Sequence, residues 1–135
     1  MCSITVNSIV EQQLINLERS NNRELIEKKL YRFATEASPS TPGALDIPGM
    51  YGMPSELQKI RKKRIGRHRI FYTGHHTQCR YNVVFIKEFK KTGVNDENDS
   101  RFQRILIGAL IDQPIRQLLT PDNSPGLSES DIINP

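Results

Sequence analysis

A run of basic residues in the middle of the chain is the sequence feature best suited to chemistry. Between Lys59 and Lys91 the sequence holds eleven Lys or Arg and one acid, Glu88, for a net charge of +10. Since the whole chain carries +4, the remaining residues sum to −6. A local field of this size attracts polyanions, so a nucleic acid is a more natural partner than a small neutral metabolite. A solvated charged surface would have the same composition.

Arginine and lysine at this density suit phosphate recognition. The planar guanidinium of arginine pairs bidentately with phosphate oxygens and stays charged at any physiological pH. We expect the following cations to contact a nucleic-acid backbone: Lys59, Arg61, Lys62, Lys63, Arg67 and Lys87.

His68 is a candidate general base within the same run. The flanking Arg67 and Arg69 should favour its neutral form and keep it available near neutral pH. Strand alternation, however, places its side chain with Ile70 and Tyr72, so a packed histidine on the core side is an equal alternative.

Two other polar groups favour ordinary structural roles. His75, His76 and Cys79 lie near a turn, but no fourth ligand follows at a recognised zinc spacing, which favours an exposed polar turn. The acids at positions 96–99 lack the Gly and the late Glu of a calcium loop, so helix capping explains them better. We therefore predict no metal and no cofactor.

The elements that must position these residues follow from periodicity. We predict a strand at residues 3–8, a helix from Ser8 to about residue 20, and a second helix that begins at a capping box of Asn21 and Glu24. The second helix should bury one apolar face, made of Ile26, Leu30, Phe33, Ala34 and Ala37. Prolines and glycines exclude regular structure from 38 to 55, although the apolar residues there, Leu45 among them, should dock on the core.

The pattern of the second half of the chain predicts a sheet followed by a helix. Strands are predicted at 57–65, 67–73 and 80–89, with a turn at 74–77, and the last strand should be central because both of its faces are apolar. A third helix should bury Phe102, Ile105, Leu106, Ala109 and Leu110, and should end by Pro114. The predicted class is α+β: an N-terminal strand and helical hairpin on a small, mainly antiparallel sheet, followed by a C-terminal helix.

The length and composition of the chain limit the number of domains and the compartments in which it is expected. A chain of 135 residues fits one domain, which we place at 1–119, with a disordered tail at 120–135. No apolar run reaches the roughly 18 residues of a membrane span, and the N-terminus lacks a secretory signal, so a cytoplasmic protein is expected. In that compartment Cys2 and Cys79 should be free thiols, although a count of two cysteines also allows a disulfide between them.

The order strand, helix, helix, three strands resembles the RelE/ParE superfamily of toxins from type II toxin–antitoxin systems, most of all its HigB-like branch. The likeness is best over 57–91, with the two segments Lys-Arg-Ile-Gly-Arg-His-Arg-Ile-Phe-Tyr at 63–72 and Val-Val-Phe-Ile-Lys-Glu-Phe-Lys-Lys at 83–91. The positions that match the family pattern are Arg64, Arg69, Ile70, Tyr72, Phe89, Lys90 and Lys91.

This resemblance implies a metal-independent, ribosome-dependent mRNA endonuclease that inhibits translation and is held by a cognate antitoxin, with which it could form a hetero-oligomer. The catalytic candidates are Arg64, Arg69, Lys90 and Lys91, joined by His68. After Lys91 the chain continues Thr-Gly-Val-Asn, where many members carry a catalytic tyrosine or histidine. Two alternatives therefore stay open, a ParE-like DNA gyrase inhibitor and a non-catalytic nucleic-acid-binding regulatory protein.

Overall fold

The structure is a computed structural model, which describes residues 2–45, 55–88 and 99–118. It has an α+β fold, as the sequence predicts. The strands are β1 (Ser3–Asn7), β2 (Arg61–Ile65), β3 (His68–His75), β4 (Arg80–Glu88) and β5 (Pro114–Gln117). The helices are α1 (Ser8–Leu17), α2 (Asn22–Glu36) and α3 (Ser100–Leu110), and 3₁₀ turns lie at Glu18–Ser20, Ser55–Leu57 and His76–Gln78.

The five strands form one mixed sheet in the order β2-β3-β4-β1-β5. Only the β1–β4 pair is parallel; β2–β3, β3–β4 and β1–β5 are antiparallel. The central position of β4 confirms the interpretation of its apolar faces. β5 was not predicted, because its four residues carry no strand pattern apart from their pairing with β1.

A core lies on each face of the sheet. On one face α1 and α2 pack with Val10, Leu14, Ile26, Leu30 and Ala34 against buried strand residues. On the other, Phe102, Leu106 and Ala109 of α3 pack with Leu57 and Ile60 against Phe71 and Val84. We call these the hairpin face and the α3 face.

Several local predictions need correction. Asn21 makes no side-chain cap; it adopts a left-handed conformation (φ 62°), which ends the preceding 3₁₀ turn and reverses the chain. The segment 57–60 is not strand, because Leu57 and Ile60 turn into the core beneath α3. Ile105 is 50% exposed and lies outside the buried stripe of α3.

Other predictions are confirmed. Asp99 caps α3 by accepting a hydrogen bond from the Arg101 backbone N–H at 2.8 Å. Leu45 is fully buried in the hairpin-face core. The other predicted docking residues of that loop, and the tail from 120, lie outside the described residues.

Cys2 and Cys79 form a disulfide, so the prediction of free thiols is wrong. The parallel pairing of β1 with β4 sets Ser3 opposite Arg80, and the Ser3 backbone N–H donates to the Cys79 carbonyl at 3.1 Å. This register brings the two cysteine Cα atoms to 4.3 Å. The sequence alone could not indicate that contact, since it depends on strands 77 positions apart.

Candidate nucleic-acid interface

Two predicted catalytic residues and one predicted phosphate-binding residue form a line across neighbouring strands. Arg64 of β2 is the register partner of Arg69 of β3, and Arg69 is the partner of Lys87 of β4. Directly opposed residues project to the same side, with Cβ atoms about 5 Å apart. We call these three residues the cation row.

The cation row lies on the α3 face. Phe71, two residues after Arg69, packs in the core beneath α3, and alternate residues of a strand share a face. The Lys87 Nζ lies 5.0 Å from the centroid of the Phe102 ring, at the start of α3. The exposed Arg64 donates from Nε to the Gly66 carbonyl at 3.4 Å, across the β2–β3 turn.

An aromatic cluster supports the row from the next step of the sheet. The Phe102 ring makes edge contacts with Phe71 and Phe85, at centroid distances of 5.5 and 5.7 Å. Lys62 is the register partner of Phe71, which places it on the same face as the row, one step along β2. Cations beside a packed aromatic cluster are therefore held by rigid strands rather than by loops.

Lys63 belongs to the hairpin face. It pairs with Ile70, which packs in the hairpin-face core. Its Nζ lies 5.4 Å from the centroid of the Phe33 ring on α2. It therefore extends away from the cation row, on the opposite side of the sheet.

His68 also lies on the hairpin face, away from the row. It is only 5% exposed and is the register partner of Glu88. Burial lowers the pKa of the ring, while the charge of Glu88 raises it less strongly. Burial therefore favours the neutral ring, a cause different from the neighbouring arginines that the sequence suggested.

His68 borders a cleft of about 510 Å³ between the sheet and α1. Arg67, exposed in the turn after Gly66 (φ +58°), lines this cleft together with Glu88, Gln13 and Asn16. The cleft holds both charges and several amides, and the cation row lies across the sheet from it.

Lys59 and Arg61 line another cleft, of about 530 Å³, which is separate from the cation row and from the cleft beside His68. Arg80, Thr5, Thr73 and Asn82 line it with them. Sequence reasoning assigned no role to these four. Alternation along β4 sets Arg80 opposite the buried Tyr81, and the approach of Thr5 depends on the β1–β4 pairing.

The described cations thus occupy several places rather than one shared surface. Arg64, Arg69 and Lys87 come together, whereas His68 and Lys63 lie behind them. Lys90 and Lys91 lie outside the described residues.

The metal alternative has no support among the described residues, in which no group of three His, Cys, Asp or Glu side chains could hold an ion. Cys79 is in the disulfide, and the His75 and His76 rings contact each other at a centroid distance of 4.0 Å.

Comparison with known proteins finds no matching family model, no matching curated protein and no matching solved structure. Within the described ranges, every helix is too short or too polar to traverse a lipid bilayer.

Proposed function

We propose that this protein binds single-stranded RNA through the α3 face and is the toxin of a type II toxin–antitoxin system of the RelE/ParE kind. The observation that carries the proposal is the cation row, in which Arg64, Arg69 and Lys87 stand in register on three adjacent strands. The one acid of the basic run, Glu88, pairs with His68 and so belongs to the other face. Three cations in register on one face raise the local potential that attracts a polyanion.

The proposed reaction is metal-independent cleavage of mRNA on the ribosome. The RNA 2′-hydroxyl gives up its proton and attacks the adjacent phosphate, and negative charge accumulates on the phosphorane. The bond from phosphorus to the 5′-oxygen then breaks, and the 5′-oxygen takes up a proton, which leaves a 2′,3′-cyclic phosphate and a 5′-hydroxyl. Arg64 and Arg69 would stabilise that charge, because preorganised cations on a sheet need little reorganisation as the charge develops. Lys90 and Lys91 complete the set that the resemblance implies.

A specific observation favours a second candidate, RNA binding without cleavage. His68, the histidine proposed as base, is buried on the hairpin face behind the row. A general base must reach the proton that it removes, directly or through one water. A protein with the row alone would bind RNA and block translation without cutting it.

Induced expression in a bacterial host separates these functions. A nuclease stops translation and leaves cleaved transcripts, whereas an RNA-binding protein leaves transcripts intact. A gyrase inhibitor would instead produce DNA damage. Double-strand breaks with intact mRNA and continued translation would contradict both RNA proposals.

Substitutions connect the phenotype to the row. The variant Arg64→Ala/Lys91→Ala should lose growth arrest, and Arg64→Ala/Arg69→Ala/Lys87→Ala should lose both arrest and RNA binding. The matched control is Arg19→Ala/Lys29→Ala/Arg32→Ala, which removes the same charge from exposed helix positions. If growth arrest survived in both of these variants, at protein levels equal to the control, the assignment of function to these cations would be wrong.

The proposed partner is a cognate antitoxin that lays an acidic or amphipathic segment over the 59–91 surface or the helices. Co-expression of a short neighbouring reading frame should abolish the arrest and yield a co-purifying complex.

A further inference from the structure

The cleft lined by Lys59, Arg61 and Arg80 is distinct from the cation row and has its own chemistry. Its volume of about 530 Å³ lies in the range of small-molecule sites. Thr73 and Asn82, which also line it, are register partners on β3 and β4. The row lies at the other end of these strands, on Arg69 and Lys87.

The charge of the cleft is uncompensated within the described part of the chain. The side chains of Lys59, Arg61 and Arg80 make no ion pair with the described residues, and no described Asp or Glu lines the cleft. Three like charges around one cavity raise its potential, and an anion relieves that repulsion. Arg23 and Arg116, by contrast, pair with glutamates.

Neutral donors supplement the cations. The Thr5 hydroxyl donates to the Asn82 Oδ1 at 3.0 Å, which fixes the orientation of the amide. The Asn82 Nδ2 then has no acceptor among the described residues and remains a donor. The Thr73 hydroxyl is a further donor at the lining.

The backbone beside the cleft is unusually close-packed. Gly74 has φ +111°, and a Cβ there would lie 2.2 Å from the Arg80 carbonyl oxygen. Only glycine allows β3 to approach β4 this closely, just where Arg80 begins its strand. This close contact fixes the backbone at Arg80, while Arg61 begins β2 and Lys59 lies in the turn before it.

We infer that this cleft binds a phosphate monoester on a ligand the size of a nucleotide. A monoester carries nearly two negative charges at neutral pH and three acceptor oxygens, which match three cations and neutral donors better than a singly charged diester does. The inference involves none of Arg64, Arg69 and Lys87 and does not require RNA cleavage.

The test is titration calorimetry of the full chain with 5′-AMP, with adenosine as the matched ligand that lacks phosphate. We expect binding of 5′-AMP at submillimolar concentration and none of adenosine. Lys59→Ala/Arg80→Ala should weaken 5′-AMP binding at least about tenfold, as the loss of two charge-assisted contacts predicts. Arg19→Ala/Lys29→Ala, which removes the same charge at exposed positions, should bind as the wild type does.

The inference is overturned if 5′-AMP does not bind, if adenosine binds equally well, or if the cleft variant binds 5′-AMP like the control. Circular dichroism and thermal unfolding show whether the cleft variant is folded. Should it not fold, Lys59→Gln and Arg80→Gln, each made singly, replace it with the same expected direction.

Two further arms identify the source of the phosphate and keep this inference apart from the proposed function. A 5′-phosphorylated RNA oligonucleotide that binds the cleft more tightly than 5′-AMP indicates an RNA end, and equal affinity indicates a free nucleotide; both support the site. The cation-row triple variant should retain 5′-AMP binding, so loss of RNA binding there leaves the cleft standing. Loss of 5′-AMP binding in that variant would contradict a separate site.

Discussion

Asn7 connects four elements through one fully buried side chain. Its Oδ1 accepts from the Val10 N–H at 2.8 Å and caps α1, while its Nδ2 donates to the Val84 and Ala109 carbonyls at 3.1 and 3.3 Å. Val84 is the extra residue of a β-bulge, since Phe71 pairs with Phe85 and Tyr72 with Val83. The amide therefore satisfies a carbonyl at a point where the ladder is irregular.

Asn7→Ala should lower the free energy of unfolding by about 3 kcal/mol, because it removes a helix cap and leaves buried polar groups without a partner. Urea unfolding measures the change. Asn16→Ala, at an exposed position of α1, is the control and should change stability by less than about 0.5 kcal/mol. Equal losses for the two variants would contradict the structural role of Asn7.

The burial of His68 makes stability depend on pH in a defined direction. Since its folded-state pKa lies below the ordinary 6.5, the unfolded chain binds more protons as the pH falls through that value. The contribution of the neutral ring is complete above pH 6.5 and declines below it. His68→Leu should therefore show a shallower loss of unfolding free energy between pH 7.5 and 5.5 than the wild type.

Glu88→Gln should change the pH dependence of the unfolding free energy in the direction opposite to His68→Leu. Glu88 raises the pKa of His68, so its neutralisation should lower that pKa further and steepen the decline. If the two variants move the slope in the same direction, the assignment of this pH dependence to His68 is wrong.

At the scale of elements, α1 completes the edge of β4 beyond the end of β1. The parallel ladder stops at the Val6–Val83 pair, where the chain turns into α1. From there the Gln13 side chain accepts a hydrogen bond from the Ile86 N–H at 2.8 Å. A helix side chain thus takes the place of a strand and holds the segment of β4 that leads to Lys87.

Ion pairs attach the edge strand β5 to the helical hairpin. Arg116 donates from Nε to both carboxylate oxygens of Glu11, at 2.9 and 2.8 Å, and from Nη2 to Glu27 at 3.1 Å. Arg23 joins the same two glutamates from α2. These groups are only partly exposed, so solvent screens the network less than it screens an isolated surface pair.

The disulfide ties β1 to β4 over 77 positions of sequence. Closing a loop of this length should stabilise the fold by about 4 kcal/mol through the entropy of the unfolded chain. Reductant should lower the urea midpoint of the wild type accordingly. The variant Cys2→Ser/Cys79→Ser should be insensitive to reductant, and a wild type that is equally insensitive would contradict the link.

At the scale of the whole molecule, the two faces of the sheet differ in their charged residues. The hairpin face is filled by α1 and α2, and its partly buried arginines are paired with glutamates. Among the described residues, α3 packs on the other face with Leu57 and Ile60, and the cation row lies beside Phe102 on that face. Because the cations of the row are clustered, they create a local positive field although the net charge of the chain is only +4.

The salt dependence of RNA binding should measure the contribution of the cation row directly. Each phosphate contact to single-stranded RNA contributes about 0.7 to the slope of log K against log salt concentration, so the row triple variant should lose about 2 from the wild-type slope. Fluorescence anisotropy with an RNA oligonucleotide at 50–300 mM salt, roughly the range in which such slopes are linear, measures it. The control variant Arg19→Ala/Lys29→Ala/Arg32→Ala should keep the wild-type slope. An equal loss of slope in that control would assign the effect to net charge alone.

The sequence by itself determined the features that depend on near neighbours along the chain. Helical periodicity placed Ile26, Leu30 and Ala34 in the core, and strand alternation separated Arg69 from His68. Both follow because the side-chain period of a helix or strand is fixed by local backbone geometry.

Only the tertiary structure decided which distant segments meet. The β1–β4 pairing joins Cys2 to Cys79 and Thr5 to Asn82, β5 becomes a strand only beside β1, and the bulge at Val84 moves Phe85 to the α3 face. The basic run likewise indicated a polyanion partner but not its division among a row and two clefts. These outcomes depend on register and packing between residues far apart in sequence, which no local pattern encodes.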